Sequence, residues 1–202
     1  MTMEPELRAL LSELHAWGQS YDERQPDCTK RMLNLDPDTA LLMSILVRSS
    51  RRSRLLEIGT SNGYSTIWLA WAAAPCGGRV LSIDFNPEKH ALADANLRRA
   101  KLRHRVDLRP GDATEVIPTL PGPFDFVLFD SFKTMESTQL ALLLPKLTED
   151  ALVLADNALS HGKDMEPYLA RVAAQADFDH LVVPVGKGLS VAYRKGRRSG
   201  EP

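Results

Sequence analysis

Short apolar runs and amphipathic stretches alternate along this chain, with no internal repeat, low-complexity tract or linker between them. Apolar runs at Arg54–Ile58, Val80–Asp84, Val106–Arg109, Phe124–Asp130, Ala151–Ala155, Leu181–Val185 and Leu189–Arg194 predict strands. Between most of them, Ser65–Ala74, Pro87–Lys101, Thr134–Leu147 and Lys163–Ala176 carry apolar residues at helical spacing. Asn86-Pro87-Glu88 supplies one of these helices with a cap and a first-turn proline. Strand–helix alternation is the mark of an α/β fold, and right-handed crossovers stack such units into a doubly wound, mostly parallel sheet. Gly186-Lys187-Gly188 joins the last two runs as a hairpin signal, so an antiparallel C-terminal strand is expected. Two amphipathic segments, Pro5–Gly18 and Asp38–Val47, precede the first strand and have no strand of their own to cover. They are expected to pack over the site or against a second subunit.

Composition narrows the class. A chain of 202 residues reads as a single domain, with residues 1–50 as a helical cover and 51–195 as the core. That length buries roughly 70% of the unfolded surface without staples. Cys28 and Cys76 make neither a disulfide framework nor a zinc site, which suits a reducing cytoplasm. No apolar run reaches the roughly 20 residues that span a bilayer, and the N-terminus lacks a signal-peptide core, so no membrane role is expected. Lys and Arg number 25 against 26 Asp and Glu, a formal charge of −1 that offers no broad field for nucleic acid. The basic cluster Arg194, Lys195, Arg197 and Arg198 reads as a solvated tail.

The most specific chemistry lies in Arg54-Leu55-Leu56-Glu57-Ile58-Gly59-Thr60-Ser61-Asn62-Gly63-Tyr64-Ser65, followed by Leu81-Ser82-Ile83-Asp84. An apolar strand enters a loop whose two glycines permit tight folding and close approach to a ligand, and a helix then opens with free N–H groups toward it. Asp84, closing the second strand, can accept hydrogen bonds from both hydroxyls of a ribose. Gly59 and Gly63 fit neither the dinucleotide spacing G-x-G-x-x-G nor the phosphate loop G-x-x-x-x-G-K-[ST]. Glu-x-Gly-x-x-x-Gly without a phosphate-binding lysine suits S-adenosylmethionine, on a Rossmann-like seven-stranded sheet. The competing reading is an ordinary strand-to-helix turn.

Ligands of such sheets bind beyond the C-terminal strand ends. Glu57, Asp84, Asp112, Asp130 and the pair Asp156-Asn157 all fall there. Acidic strand ends also cap helices, which is the structural alternative for any one of them. Asp130, Asp156 and Asn157 offer only oxygen donors from neighbouring strands, a set suited to Mg²⁺ rather than zinc.

Four blocks carry a resemblance: Glu57–Ser65, Phe124-Asp125-Phe126-Val127-Leu128-Phe129-Asp130-Ser131-Phe132-Lys133, Leu154–Leu159 and Pro184–Leu189. In order and content, from about Met32 to Arg194, they resemble the signature blocks of the catechol and caffeoyl-CoA type O-methyltransferases. The resemblance implies that Glu57, Gly59, Ser65, Asp84 and Ala113 line an S-adenosylmethionine site, with Ser65 near the methionyl carboxylate and Asp84 on the ribose. Met32 is similar to the methionine that touches the cofactor region. Ser61 and Gly63 of the same loop, with Asp112 and Asp130, complete the expected cofactor set. Asp130, Asp156 and Asn157 match the family's divalent metal ligands and Lys133 its catalytic lysine. A small aromatic hydroxylated acceptor and a homodimer are implied as well.

Those roles define a reaction. Methyl transfer from a sulfonium is an in-line displacement, so the enzyme must align an oxygen and supply it deprotonated. A phenol with a pKa near ~10 is a poor nucleophile at neutral pH. A metal chelated by two adjacent hydroxyls orients the acceptor and acidifies it. Lys133, beside a cation in a closed pocket, is expected to have its ammonium form disfavoured and to serve as base. The chain departs from the family at Thr134-Met135-Glu136-Ser137-Thr138-Gln139, which lacks the usual tyrosines, at Thr148-Glu149-Asp150 in place of a Gly-Gly turn, and at Ser131 and Phe132. Trp68 and Trp71 are expected to pack on the sheet, while Trp17 and Tyr21 are candidates for stacking on an aromatic ligand. His161 is a lesser candidate for the acceptor pocket. A metal-independent methyltransferase with a non-catechol acceptor, a nucleotide-binding oxidoreductase and a non-catalytic S-adenosylmethionine-binding module stand as alternatives.

Overall fold

The computed structural model describes residues 2–196. Its centre is a sheet in which strands β1 (Arg54–Ile58), β2 (Arg79–Asp84), β3 (Val106–Pro110), β4 (Phe124–Phe129), β5 (Leu147–Ala155), β6 (Phe178–Val183) and β7 (Leu189–Arg194) lie in the order β3-β2-β1-β4-β5-β7-β6. β7 runs antiparallel to both neighbours and the remaining pairs are parallel. This is the expected mixed Rossmann-like arrangement.

Strand residues alternate between two apolar layers, as a pleated sheet covered on both faces requires. Leu55, Phe126, Leu128, Leu152 and Leu154 face one layer, closed by helices α1 (Pro5–Arg24), α2 (Pro37–Ser49), α3 (Tyr64–Ala73) and α4 (Pro87–Arg99). Leu56, Ile58, Val127, Phe129 and Val153 face the other, beneath α5 (Ala113–Val116), α6 (Lys133–Leu143) and α7 (Gly162–Ala173). Trp71 belongs to the first layer and meets Trp68 edge to face at 5.9 Å, the packing role expected of both. No helix of the described residues is long and apolar enough to cross a membrane.

Several boundaries differ from expectation, each for a local reason. α1 continues past Gly18 because that glycine is a contact point: a Cβ there would meet Asn34 Nδ2 at 2.5 Å, and that amide donates to the Leu14 carbonyl. α6 stops at Leu143 because Pro145 follows, with no N–H to continue the ladder. β5 begins at Leu147, so Thr148-Glu149-Asp150 is strand rather than loop; Leu147 pairs with Phe124 across a register shift and Asp150 pairs with buried Arg52 at 2.8 Å. β6 starts at Phe178 and ends two residues before Val185, whose N–H turns back to Val183 O. Of the basic C-terminal cluster, Arg194 pairs with Asp177 at 2.8 Å and Lys195 with Asp179 at 3.1 Å, whereas Arg197 and Arg198 lie outside the described residues.

Candidate functional site

Chain order reverses between β1 and β4, and the C-terminal ends of β1, β2 and β4 open there into a cavity of about 780 Å³. The loop after β1 is pressed onto the end of β4. Gly59 sits at φ +105°, and a Cβ there would come within 2.0 Å of the Asp130 carbonyl oxygen. No other residue fits that backbone without displacing it. Gly63, at φ +86°, faces Ala93 of α4 rather than the cavity, so it shapes the start of α3 and leaves ligand contact to its neighbours.

Asp84 organises the wall at the ends of β1 and β2. Its Oδ2 accepts from the Ser61 N–H at 2.7 Å and its Oδ1 from the Asn86 N–H at 2.9 Å. Each oxygen keeps a lone pair for a ligand hydroxyl. Ser61 also donates its hydroxyl to the Met32 carbonyl at 2.7 Å, while the Met32 and Leu33 N–H groups donate to the Asp22 carboxylate of α1 at 2.6 and 2.8 Å. The segment before β1 is thereby tied to the loop after it. Met32, Ser61, Ser65, Asp84, Asp112 and Ala113 all line the cavity; Asp112 additionally caps α5 through the Thr114 N–H at 2.7 Å.

Glu57 lies beneath this wall, fully buried, accepting from the hydroxyls of Thr66 and of Ser82. Its Oε1 has no partner. Burial pushes its carboxyl up to about 7, against the lowering effect of the Ser65, Ser82 and Thr66 hydroxyls. Because the folded-state pKa is above the unfolded one, the folded protein holds a proton between about pH 4.5 and 7 that the unfolded chain releases. Stability relative to Glu57→Gln is therefore expected to be greatest below pH 4.5, to fall by on the order of 3 kcal/mol as pH rises to 7, and to stay level above it. Urea unfolding of both proteins across that range would show it, and parallel pH curves would refute the assignment.

The wall at the ends of β4 and β5 is charged and largely shielded from solvent. Asp130, Lys133 and Asn157 line the cavity, with Asp156 behind them. Asn157 adopts φ +66°, a left-handed conformation that Asn tolerates, and its Nδ2 donates to Ser160 Oγ at 3.2 Å. Burial raises both Asp130 and Asp156, and the Asp156 charge raises Asp130 further. Asp156 Oδ1 is buried without a partner. A half-buried carboxylate, Asp130, and a buried one with an orphaned oxygen, Asp156, beside an amide form a set that a hard cation would satisfy, with water or ligand oxygens completing its shell. Among the described residues no group of three or more His, Cys, Asp or Glu is placed to hold a metal, which leaves no softer site in competition.

Lys133 departs from expectation. Its Nζ lies 3.1 Å from Glu136 Oε1 and 3.7 Å from Asp130 Oδ1. Burial would lower its pKa, but Glu136, Asp130 and Asp156 together reverse the sign and hold it above the ordinary lysine value. Glu136, with no exposed surface and a carboxyl pushed by burial up to about 7, was not among the expected site residues. Its signal is the three-residue spacing from Lys133, which puts both on one helix face. Gln139, one turn further, is also buried and lines the cavity. His161 reaches the cavity mouth, whereas Trp17 and Tyr21 stack on each other at 5.2 Å away from its lining.

Comparison with known proteins agrees with this geometry. The family model of a methyltransferase domain matches residues 56–158, half of the chain. A catechol O-methyltransferase of Niastella koreensis is 33% identical over 149 residues, covering 71% of this chain and 66% of the relative. One of Mycobacterium tuberculosis is 36% identical over 121 residues, covering 59% and 54%. The chain thus spans just under two thirds, and about half, of these two relatives' lengths. The solved structure of the O-methyltransferase TomG from Streptomyces achromogenes, in complex with SAM, superposes with a TM-score of 0.79 at 25% identity, covering 96% of this chain and 92% of that one. The chain therefore belongs to the methyltransferase-domain family, and the relatives and the solved structure to which it is similar are O-methyltransferases.

Proposed function

We propose that the protein transfers the methyl group of S-adenosylmethionine to one hydroxyl of a small aromatic vicinal diol, with Mg²⁺ held by Asp130, Asp156 and Asn157 and Lys133 as base. The observation that carries this reading is one crevice holding two chemistries: Asp84 and the Ser61 loop on one side, and the Asp130–Asp156 pair with its orphaned oxygen on the other. The catechol O-methyltransferases among its relatives support the acceptor class. A divalent cation would orient two adjacent hydroxyls and lower the pKa of the attacking one. The chain's own residues do the rest. Asp84 accepts from the donor's ribose, and Gly59 lets the backbone approach the donor closely. Lys133 stands at the reacting oxygen. A cation bound there would relieve Lys133 of the Asp130 and Asp156 charges, leaving burial, which disfavours its ammonium form, opposed by Glu136 at 3.1 Å; Lys133 would then take the phenolic proton.

Mass-spectrometric assay of S-adenosylmethionine with catechols and monophenols, with Mg²⁺ or EDTA, tests the proposal. Catechol methylation that EDTA abolishes is the expected result. Methylation indifferent to EDTA would favour a metal-independent reading, for which the positive charges of Lys133 and Lys187 bearing on Asp130 and Asp156 are the supporting observation.

A further inference from the structure

Lys187 stands at the tip of the turn between β6 and β7, outside the residues given a catalytic or binding role above. We infer that it makes this site selective for vicinal-diol aromatics that carry a carboxylate, a substrate class within the function proposed above and resting on it. The turn is held in one place. Gly186 and Gly188 adopt φ +53° and +91°, and a Cβ on Gly188 would meet Leu159 Cγ at 2.5 Å. The Lys187 carbonyl accepts from the Leu159 and Ser160 N–H groups, both at 3.1 Å, and the Gly188 carbonyl accepts from the Ala158 N–H at 2.9 Å. These bonds fasten Lys187 to the segment that follows Asp156-Asn157, and its side chain lines the cavity.

The two lysines of this half differ in what they have left to offer. Lys133 is buried against Glu136 and Asp130. Lys187 is exposed, and among the described residues it forms no ion pair or hydrogen bond through its side chain. It lines the cavity, and its charge acts on both Asp130 and Asp156. Phe132 and Met135, exposed large apolar residues, line the same mouth. An aromatic ring seated against them with its hydroxyls toward Asp130 and Asp156 presents its far substituents to this rim. A carboxylate there meets an ammonium that no hydrogen bond or ion pair holds elsewhere among the described residues, a modest attraction at an exposed rim that a neutral group of the same size does not gain.

The test compares a dihydroxybenzoate with the matching dihydroxybenzamide, both bearing adjacent hydroxyls, on the full-length wild type, Lys187→Ala and Lys187→Arg. KM is measured together with the calorimetric affinity of each acceptor in the presence of S-adenosylhomocysteine. The benzoate is expected to bind wild type about threefold more tightly than the benzamide. Lys187→Ala should raise the benzoate's KM and Kd about threefold, the size expected of an exposed ion pair, while leaving the benzamide's nearly unchanged. Lys187→Arg should retain the preference. Equal effects on both acceptors, or none on either, would overturn the inference while leaving the methyltransferase reading intact. Turnover and binding of neither acceptor by wild type would overturn both.

Discussion

Asp156→Ala is expected to reduce methylation of a catechol by at least about a hundredfold while leaving S-adenosylmethionine affinity within about twofold of wild type. The side chain has few structural duties: its Oδ1 is unpartnered, and burial disfavours its charge, so its loss should cost the fold little. What disappears is the buried carboxylate proposed to hold the cation with Asp130 and Asn157. Asp84→Ala should do the reverse. It removes the acceptor for ribose hydroxyls and releases the Ser61 and Asn86 N–H groups, so the Kd for S-adenosylmethionine should rise about tenfold to a hundredfold. Equilibrium titration with S-adenosylmethionine and single-turnover rates separate the two effects. Were both substitutions to weaken only cofactor binding, the division of the crevice into donor and acceptor halves would be wrong.

Gly59→Ala should have the largest effect on the protein as a whole. The new methyl group would stand 2.0 Å from the Asp130 carbonyl oxygen on a backbone at φ +105°. Strain and overlap together are expected to cost more than about 3 kcal/mol and to displace the loop from Asp130. Urea denaturation should show the lower midpoint, and S-adenosylmethionine should no longer protect the protein against it. Gly77→Ala is the control: that residue also has a positive φ, of +70°, but a Cβ there meets nothing within 4 Å, so the cost should stay near ~1 kcal/mol. Equal losses from the two would show that Gly59 is needed only for its torsion and not for the close approach of β1's loop to β4.

The central strands β1, β4 and β5 were legible because they contain short apolar runs buried on both faces, and a parallel sheet leaves such runs few alternatives. The places of Gly59 and Asp84 were legible because each stands at a strand end, where local chain geometry decides. Where tertiary contact decides, the reading failed. Thr148-Glu149-Asp150 is polar enough to read as loop, yet Arg52, nearly a hundred residues earlier in the chain, holds Asp150 beside the sheet. Gly18 reads as a helix stop because nothing local reveals the approach of Asn34. The charge state of Lys133 was the most consequential difference. A lysine at a helix N-terminus in a closed pocket suggests a depressed pKa, but Glu136 and Asp156 converge on it from the next helical turn and from the next strand. Their sum decides the sign.

The mixed direction of the sheet separates what the site can change from what it must keep. The side of the crevice proposed to hold the methyl donor rests on the parallel strands β1 and β2, whose loops are tied to each other and to the segment around Met32. The outer wall of the acceptor half is a β-turn attached to the segment after β5 by three backbone hydrogen bonds. Backbone bonds tolerate exchange of the side chain they carry. A lineage could therefore replace the residue at the tip of this turn, and so trade one family of acceptors for another, without disturbing the machinery that handles the methyl donor.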